Sequence, residues 1–130
     1  MKAKIKGSNA ERELIHMFWK LDGWVACRVA GSGSMNYPSP DIIAGCQHRR
    51  LVIECKVTGT DYQYLSKQEV QELIEFGKRF YAEVWIAVKF SRDEWHFLKP
   101  EDLNETNQNF VVKRDEVAEK GLKFGQVTGF

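Results

Sequence analysis

The sequence predicts a mixed α/β fold, a central β-sheet with a helix on each face. Two stretches, residues 10–21 and 70–80, space their apolar side chains at helical intervals. Short apolar runs bounded by polar or glycine-rich breaks lie between and after them and read as strands. The order is then helix, three strands, helix, strands, helix, which suits one sheet covered on both sides.

The first helix is expected to begin after Ser8. Its inner face is Ala10, Leu14, Met17, Phe18 and Leu21, and Gly23 stops it. Ser8 and Glu11 also have the spacing of a capping box. Residues 24–30 read as a strand, followed by Gly31-Ser32-Gly33-Ser34 and a polar loop up to Pro40. Residues 41–46 and 50–57 are apolar runs around a short polar break, the pattern of a β-hairpin. Residues 59–64 read as a connection. Ser66 with Glu69 forms a second capping-box pattern, opening a helix whose inner face is Val70, Leu73, Ile74, Gly77 and Phe80. Strands are expected at 83–90, 94–98 and 110–113, with an irregular stretch over 100–109 and a short helix over 114–121. The tail from Leu122 to Phe130 mixes four apolar residues with two glycines and has no assignable pattern.

The chain of 130 residues, 28% charged and 43% hydrophobic, has the size and balance of a single globular domain spanning residues 1–130. Net charge is only +1, but residues 1–60 balance at +4 and residues 61–130 at −3. Three of the acids in the first part are Glu11, Asp41 and Glu54. Were they to hold cations, the surface around them would turn strongly positive and suit a polyanion. Cys27, Cys46 and Cys55 are odd in number and sit in apolar runs, as buried reduced thiols of a cytoplasmic protein would. With no CxxC and no HExxH, a zinc site is not expected. The start Met-Lys-Ala-Lys-Ile-Lys-Gly has no apolar core for a signal peptide, and no segment suits a membrane span.

The chemistry concentrates in Pro40-Asp41, twelve residues, then Glu54-Cys55-Lys56. Side chains alternate along a strand, so Glu54 and Lys56 share one face while Leu51, Ile53, Cys55 and Val57 point into a core. If the hairpin turns at Gln47-His48, residues whose numbers sum to 95 face one another and Asp41 lies opposite Glu54. Cβ atoms of such a pair are roughly 5 Å apart, and two carboxylates that close repel unless a cation joins them. Their oxygens are hard ligands, suited to magnesium or manganese. Lys56 would stabilise charge on a phosphate or orient a water. The competing reading is a surface hairpin with scattered charge, Asp41 being turn chemistry after Pro40. Glu11 likewise has two readings, helix cap or ligand. Gly31-Ser32-Gly33-Ser34 is either a flexible loop or a set of amide and hydroxyl donors for phosphate. Arg28 before it and Gln68 in the second helix either face a site or simply meet water. Lys4 and Lys6, in the basic start, are candidate contacts to a polyanion.

Taken together, Gly7-Ser8-Asn9-Ala10-Glu11-Arg12-Glu13-Leu14, Arg28, Gly31-Ser32-Gly33-Ser34, Pro40-Asp41-Ile42-Ile43-Ala44 and Ile53-Glu54-Cys55-Lys56 resemble the archaeal Holliday junction resolvases of the PD-(D/E)xK nuclease superfamily. The resemblance covers about residues 5–90. It implies a restriction-endonuclease-like fold, a homodimer, and magnesium-dependent nicking of four-way DNA junctions in recombination and repair, with manganese as a substitute ion. It assigns Glu11, Asp41, Glu54 and Lys56 to catalysis. The metal ligands would be Glu11, Asp41, Glu54 and the backbone carbonyl of Cys55. Ser32 maps to the catalytic loop serine, with Ser34 as the neighbouring alternative. Lys4, Lys6, Arg28, Ser32, Ser34 and Gln68 are assigned to DNA contact. Residues 35–39 carry no Lys or Arg, whereas such loops in this family are often basic. Alternatives are another nuclease of the same fold, of restriction or repair type, a non-catalytic DNA-binding module, and a structural hairpin protein. Surplus aromatics, among them Trp85, Trp95, Phe97 and Phe110, are expected in part at the dimer interface. A sliding-clamp contact through the tail near Phe130 has no clear motif behind it.

Overall fold

A computed structural model describes residues 2–29 and 37–129, with side chains from residue 7 onward. The elements are α1 (Lys2–Trp19), β1 (Val25–Arg28), β2 (Ile42–Gly45), β3 (Arg50–Thr58), β4 (Tyr62–Ser66), α2 (Lys67–Phe80), β5 (Glu83–Phe90), β6 (Trp95–Leu98), β7 (Asn104–Glu105), β8 (Asn109–Lys113), α3 (Arg114–Lys120), β9 (Leu122–Lys123) and α4 (Phe124–Thr128). A main sheet has the order β1-β2-β3-β5-β6-β9, and a smaller one the order β4-β8-β7. β3 and β5 run parallel, joined across α2, and the other main-sheet pairs are antiparallel. The expected mixed sheet with helices on both faces is therefore present.

Alternation along the strands divides the core in two. Leu51, Ile53 and Cys55 of β3, with Trp85 and Ala87 of β5, pack on one side with Ala10, Leu14 and Phe18 of α1. Val127 of α4 belongs to the same cluster. Val52, Ile86 and Val88 face the other side and meet Val70 and Leu73 of α2, Leu65, Val112 and Val117. β3 is thus buried on both faces, as a central strand with a parallel neighbour should be. Gly77 lets α2 approach the sheet, because a Cβ there would collide with the Val84 side chain.

Several expectations need correction. α1 begins at Lys2 rather than after Ser8, so Ser8 and Glu11 lie inside the helix and form no N-cap. The Lys-rich start propagates the helix because its residues have good helical propensity. The expected connection over 59–64 contains the start of β4, which finds its partner far along the chain in β8. The 100–109 stretch holds a 3-10 turn (Pro100–Asp102) and β7, and the unassigned tail forms β9 and α4. Ile74 and Phe80, expected on the inner face of α2, are both 41% exposed. Helical rotation carries Ile74 toward the edge of the stripe formed by Val70, Leu73 and Gly77, and Phe80 is the last residue of the helix. Cys27 is exposed at the edge strand, Cys46 is half-buried and Cys55 is buried. Trp85, Trp95 and Phe97 are buried within the chain and do not supply an interface.

Candidate active site

The β2–β3 hairpin sets the geometry. Cys46 and Arg49 exchange backbone hydrogen bonds across Gln47-His48. The partners Ile42↔Ile53, Ile43↔Val52, Ala44↔Leu51 and Gly45↔Arg50 follow the expected register. Asp41 continues it, its amide donating to the Ile53 carbonyl at 3.0 Å. The Cys55 amide donates to Asp41 Oδ2 at 2.8 Å, which fixes that carboxylate against β3. Pro40 helps at this point by holding the chain extended into the strand.

Glu54 and Lys56 stand on the α2 face of β3, with side chains 18% and 25% exposed. Burial drives the Glu54 carboxyl up to about 8, and the Asp41 charge adds to it against the opposing pull of Lys56. Burial also raises Asp41, although the Cys55 amide and Lys56 oppose it. Both carboxyls are thus pushed toward the protonated form, burial being the largest cause in each. Carboxyls that keep a proton are the arrangement left when like charges meet in a poorly solvated corner. A hard divalent cation satisfies the same oxygens with both groups ionised. The donor set of this corner, all carboxylate and carbonyl oxygen, therefore fits such an ion.

Glu11 reaches this corner from α1. Its pKa is raised first by burial and then by the Asp41 charge, while Arg28 pulls it down. Arg28 Nε lies 3.1 Å from Glu11 Oε1, the arginine being the more exposed partner. Lys56 Nζ is 3.8 Å from Glu54 Oε2 but only 2.7 Å from Glu69 Oε1. Burial pulls the Lys56 pKa down, yet the hydrogen bond and charge of Glu69, with Glu54 and Asp41 behind it, leave it raised.

The structure thus brings Glu11, Asp41, Glu54, Cys55, Lys56 and Arg28 together. Gln68 is exposed on the first turn of α2 and its amide donates to Glu72 at 3.3 Å. Ser32, Ser34 and Phe130 lie outside the described residues, as do the side chains of Lys4 and Lys6. Sequence reasoning gave Glu69 only a capping role. The signal available was its position on the helix that follows β3, the strand carrying Lys56. A second polar corner, Asp93, Glu94 and His96 at the β5–β6 turn, brings potential ligand atoms within 4.8 Å of one another. There His96 Nε2 makes a 3.3 Å hydrogen-bond contact with Asp93 and Lys123 is 3.6 Å from Glu94, so each group has a partner within the chain. No helix among the described residues is long and apolar enough to cross a membrane.

A mixed sheet flanked by helices, with Pro-Asp and Glu-x-Lys on adjoining strands, defines a nuclease of the restriction-endonuclease-like fold. The profile of the family described as archaeal Holliday junction resolvase (Hjc) matches residues 2–130. The chain belongs to that family, and its activity is endonucleolytic resolution of Holliday junctions. It is 40% identical to the crossover junction endodeoxyribonuclease Hjc of Archaeoglobus fulgidus, over 97% of this chain and 91% of that one. It is 32% identical to the Hjc enzyme of Methanocaldococcus jannaschii, over 95% and 87%. It is 37% identical to the Hje enzyme of Saccharolobus solfataricus, over 90% and 92%. The solved structure of the Archaeoglobus fulgidus Hjc resolvase superposes with a TM-score of 0.85 at 37% identity, covering 95% of this chain and 96% of that one.

Proposed function

We propose that residues 1–130 act as one nuclease domain that cleaves four-way DNA junctions with magnesium, manganese substituting, and that two copies work together. The observation that carries the site is the placement of Asp41, its carboxylate held by the Cys55 amide at 2.8 Å, across from Glu54, with Lys56 Nζ 3.8 Å from Glu54. Asp41, Glu54 and the Cys55 carbonyl would hold the ion, and Glu11 would complete its oxygen ligands. When bound, the ion lowers the pKa of a water and neutralises charge on the scissile phosphate. The chain supplies the rest. The Cys55 amide fixes one oxygen of Asp41, leaving the other to face Glu54. Lys56 places an ammonium where it steadies the attacking water or the charge gathering on phosphate. Arg28, 40% exposed beside Glu11, is available to a DNA phosphate, and Gln68 is open to the same ligand from α2. Ser32, Ser34, Lys4 and Lys6 complete the proposed DNA contacts.

Resolving a junction takes two cuts, and the described residues hold one such constellation. Two apolar grooves support the second copy. One, of about 480 Å³, is lined by Tyr37, Pro38, Phe76 and Phe80. The other includes Trp19, Val25, Ile43 and the same Phe80. Phe80 borders both grooves, so a second copy meeting this patch with its own would bury one continuous apolar surface, the same on each copy, as in an isologous interface. The free thiols suit a reducing, cytoplasmic setting. Cleavage of labelled four-way junction with magnesium, set against the same reaction with chelator, tests the proposal. Equal cleavage under both conditions would overturn it.

A further inference from the structure

Lys56 is closer to a glutamate outside the metal-binding pattern than to the one within it. Glu69 is the third residue of α2. Its Oε2 accepts the Ser66 amide at 2.7 Å, and its own amide donates to Ser66 Oγ at 3.0 Å, so both halves of a capping box are made. Its other oxygen, Oε1, lies 2.7 Å from Lys56 Nζ, against 3.8 Å for the distance from Lys56 to Glu54. One carboxylate therefore closes the start of a helix with one oxygen and grips the lysine with the other.

An ammonium on a four-carbon stem has much freedom, and in a pocket of carboxylates it is drawn to the densest negative charge. Here the Asp41–Glu54 pair, the proposed cation site, offers carboxylate oxygen within its reach, Glu54 Oε2 being 3.8 Å away. A lysine that settled there would occupy the place of the ion. Glu69 is rigid because the Ser66 backbone holds it, and it offers the ammonium a nearer partner. We infer that Glu69 is a positioning residue that holds Lys56 beside the Asp41–Glu54 pair and off it, so that the lysine serves the reaction without competing with the metal. This rests on the reading of Lys56 as a catalytic residue.

The two tasks of Glu69 can be separated. Glutamine also serves at the third position of a capping box, so Glu69→Gln keeps the helix start and removes only the charge that Lys56 needs. Ser66→Ala does the reverse. For Glu69→Gln, the expected results are an unchanged melting temperature, junction binding no weaker than wild type, and a single-turnover rate lower by about 10-fold or more, the effect of about 1.4 kcal/mol on the barrier. Titration calorimetry of the DNA-free protein with manganese should show several-fold weaker binding, because the released lysine competes. Glu72→Gln, which removes a charge three residues further along the same helix, should leave both unchanged. Ser66→Ala should lower the melting temperature and leave the rate of the folded enzyme within about twofold, since only a cap is lost. Wild-type rate and manganese affinity in Glu69→Gln would overturn the inference, as would equal losses in Ser66→Ala. Lys56→Ala separates the two readings. If it cuts normally, the catalytic reading of Lys56 fails. If it is inactive while Glu69→Gln cuts and binds manganese normally, only the positioning role fails.

Discussion

Glu11 of α1 and Arg28 of β1, seventeen residues apart, meet in an ion pair of 3.1 Å at the edge of the candidate site. The pair gives Glu11 a role that the capping reading denied it, because α1 starts well before Ser8. Glu11→Gln should lower junction cleavage by roughly 10-fold or more, as loss of a carboxylate that helps hold the catalytic ion would. Its melting temperature should move little, since an ion pair with one half-exposed partner contributes about 0–1 kcal/mol. Cleavage assays beside thermal melts check this; a melting shift with normal cleavage would return Glu11 to structure.

Removing ligand charge while keeping shape isolates chemistry from binding. Asp41→Asn and Glu54→Gln should each reduce cleavage by roughly 100-fold or more. Junction affinity, measured by gel shift in chelator, should stay near wild type because phosphate contacts supply most of it. Near-normal turnover by either variant would remove the pair from the active site.

The same pair gives stability a pH signature. Glu54 is raised from 4.5 to about 8 in the folded protein, so between these values the native state holds a proton that the unfolded chain releases. Stability is therefore greatest below the lower value and falls as pH rises through the upper one. Asp41, also raised, adds in the same direction. Metal-free melting temperature should decline between about pH 5 and 8. Glu54→Gln should flatten the decline, and magnesium or manganese should reverse it in the wild type by favouring the ionised pair. A flat profile in the metal-free wild type would show that no proton is held.

Assembly can be tested at Phe80, the residue common to both apolar grooves. The wild type should sediment at twice the 15.1 kDa chain mass. Phe80→Glu should sediment as a single chain. Heterodimers of wild type with Asp41→Asn should nick only one strand of a junction. A single wild-type chain making both cuts at full rate would defeat the dimer.

Gly77→Ala should destabilise the fold by about 1–3 kcal/mol, the range of an overpacked core. The added methyl meets Val84 where α2 crosses β5. Denaturant melts read this directly, and an unchanged midpoint would mean that the helix shifts freely.

What the sequence disclosed depended on the distance over which each feature is determined. The Asp41–Glu54 register follows from a two-residue turn and strand alternation, so it could be counted. Ser66 and Glu69 are three residues apart, and their capping box was legible too. The grip of Glu69 on Lys56 was not, because it depends on how α2 docks against β3. Arg49 is bonded through both Nε and Nη2 to Glu83 at 2.7 and 2.8 Å and also donates to the Val127 carbonyl. That junction of three distant segments leaves no periodicity. The start of α1 was misplaced because Ser8 fits an N-cap pattern, and a pattern does not reveal whether helix already precedes it. Phe80 was placed inside on helical spacing, but it is the last residue of α2 and remains 41% exposed there.

The uneven setting of the three thiols makes the chain a reporter of its own assembly. Cys55 is buried, and burial with the surrounding carboxylates pushes its thiol well above the ordinary range, so alkylating reagents should pass it by. Cys27 lies exposed on β1, and with half-buried Cys46 it lines the groove proposed for the second copy. A maleimide dye should therefore label Cys27 on the edge strand of a dispersed chain and leave Cys55, between Glu54 and Lys56, unmodified. As concentration rises and the groove is covered, labelling should slow, turning a chemical reaction rate into a measure of subunit association.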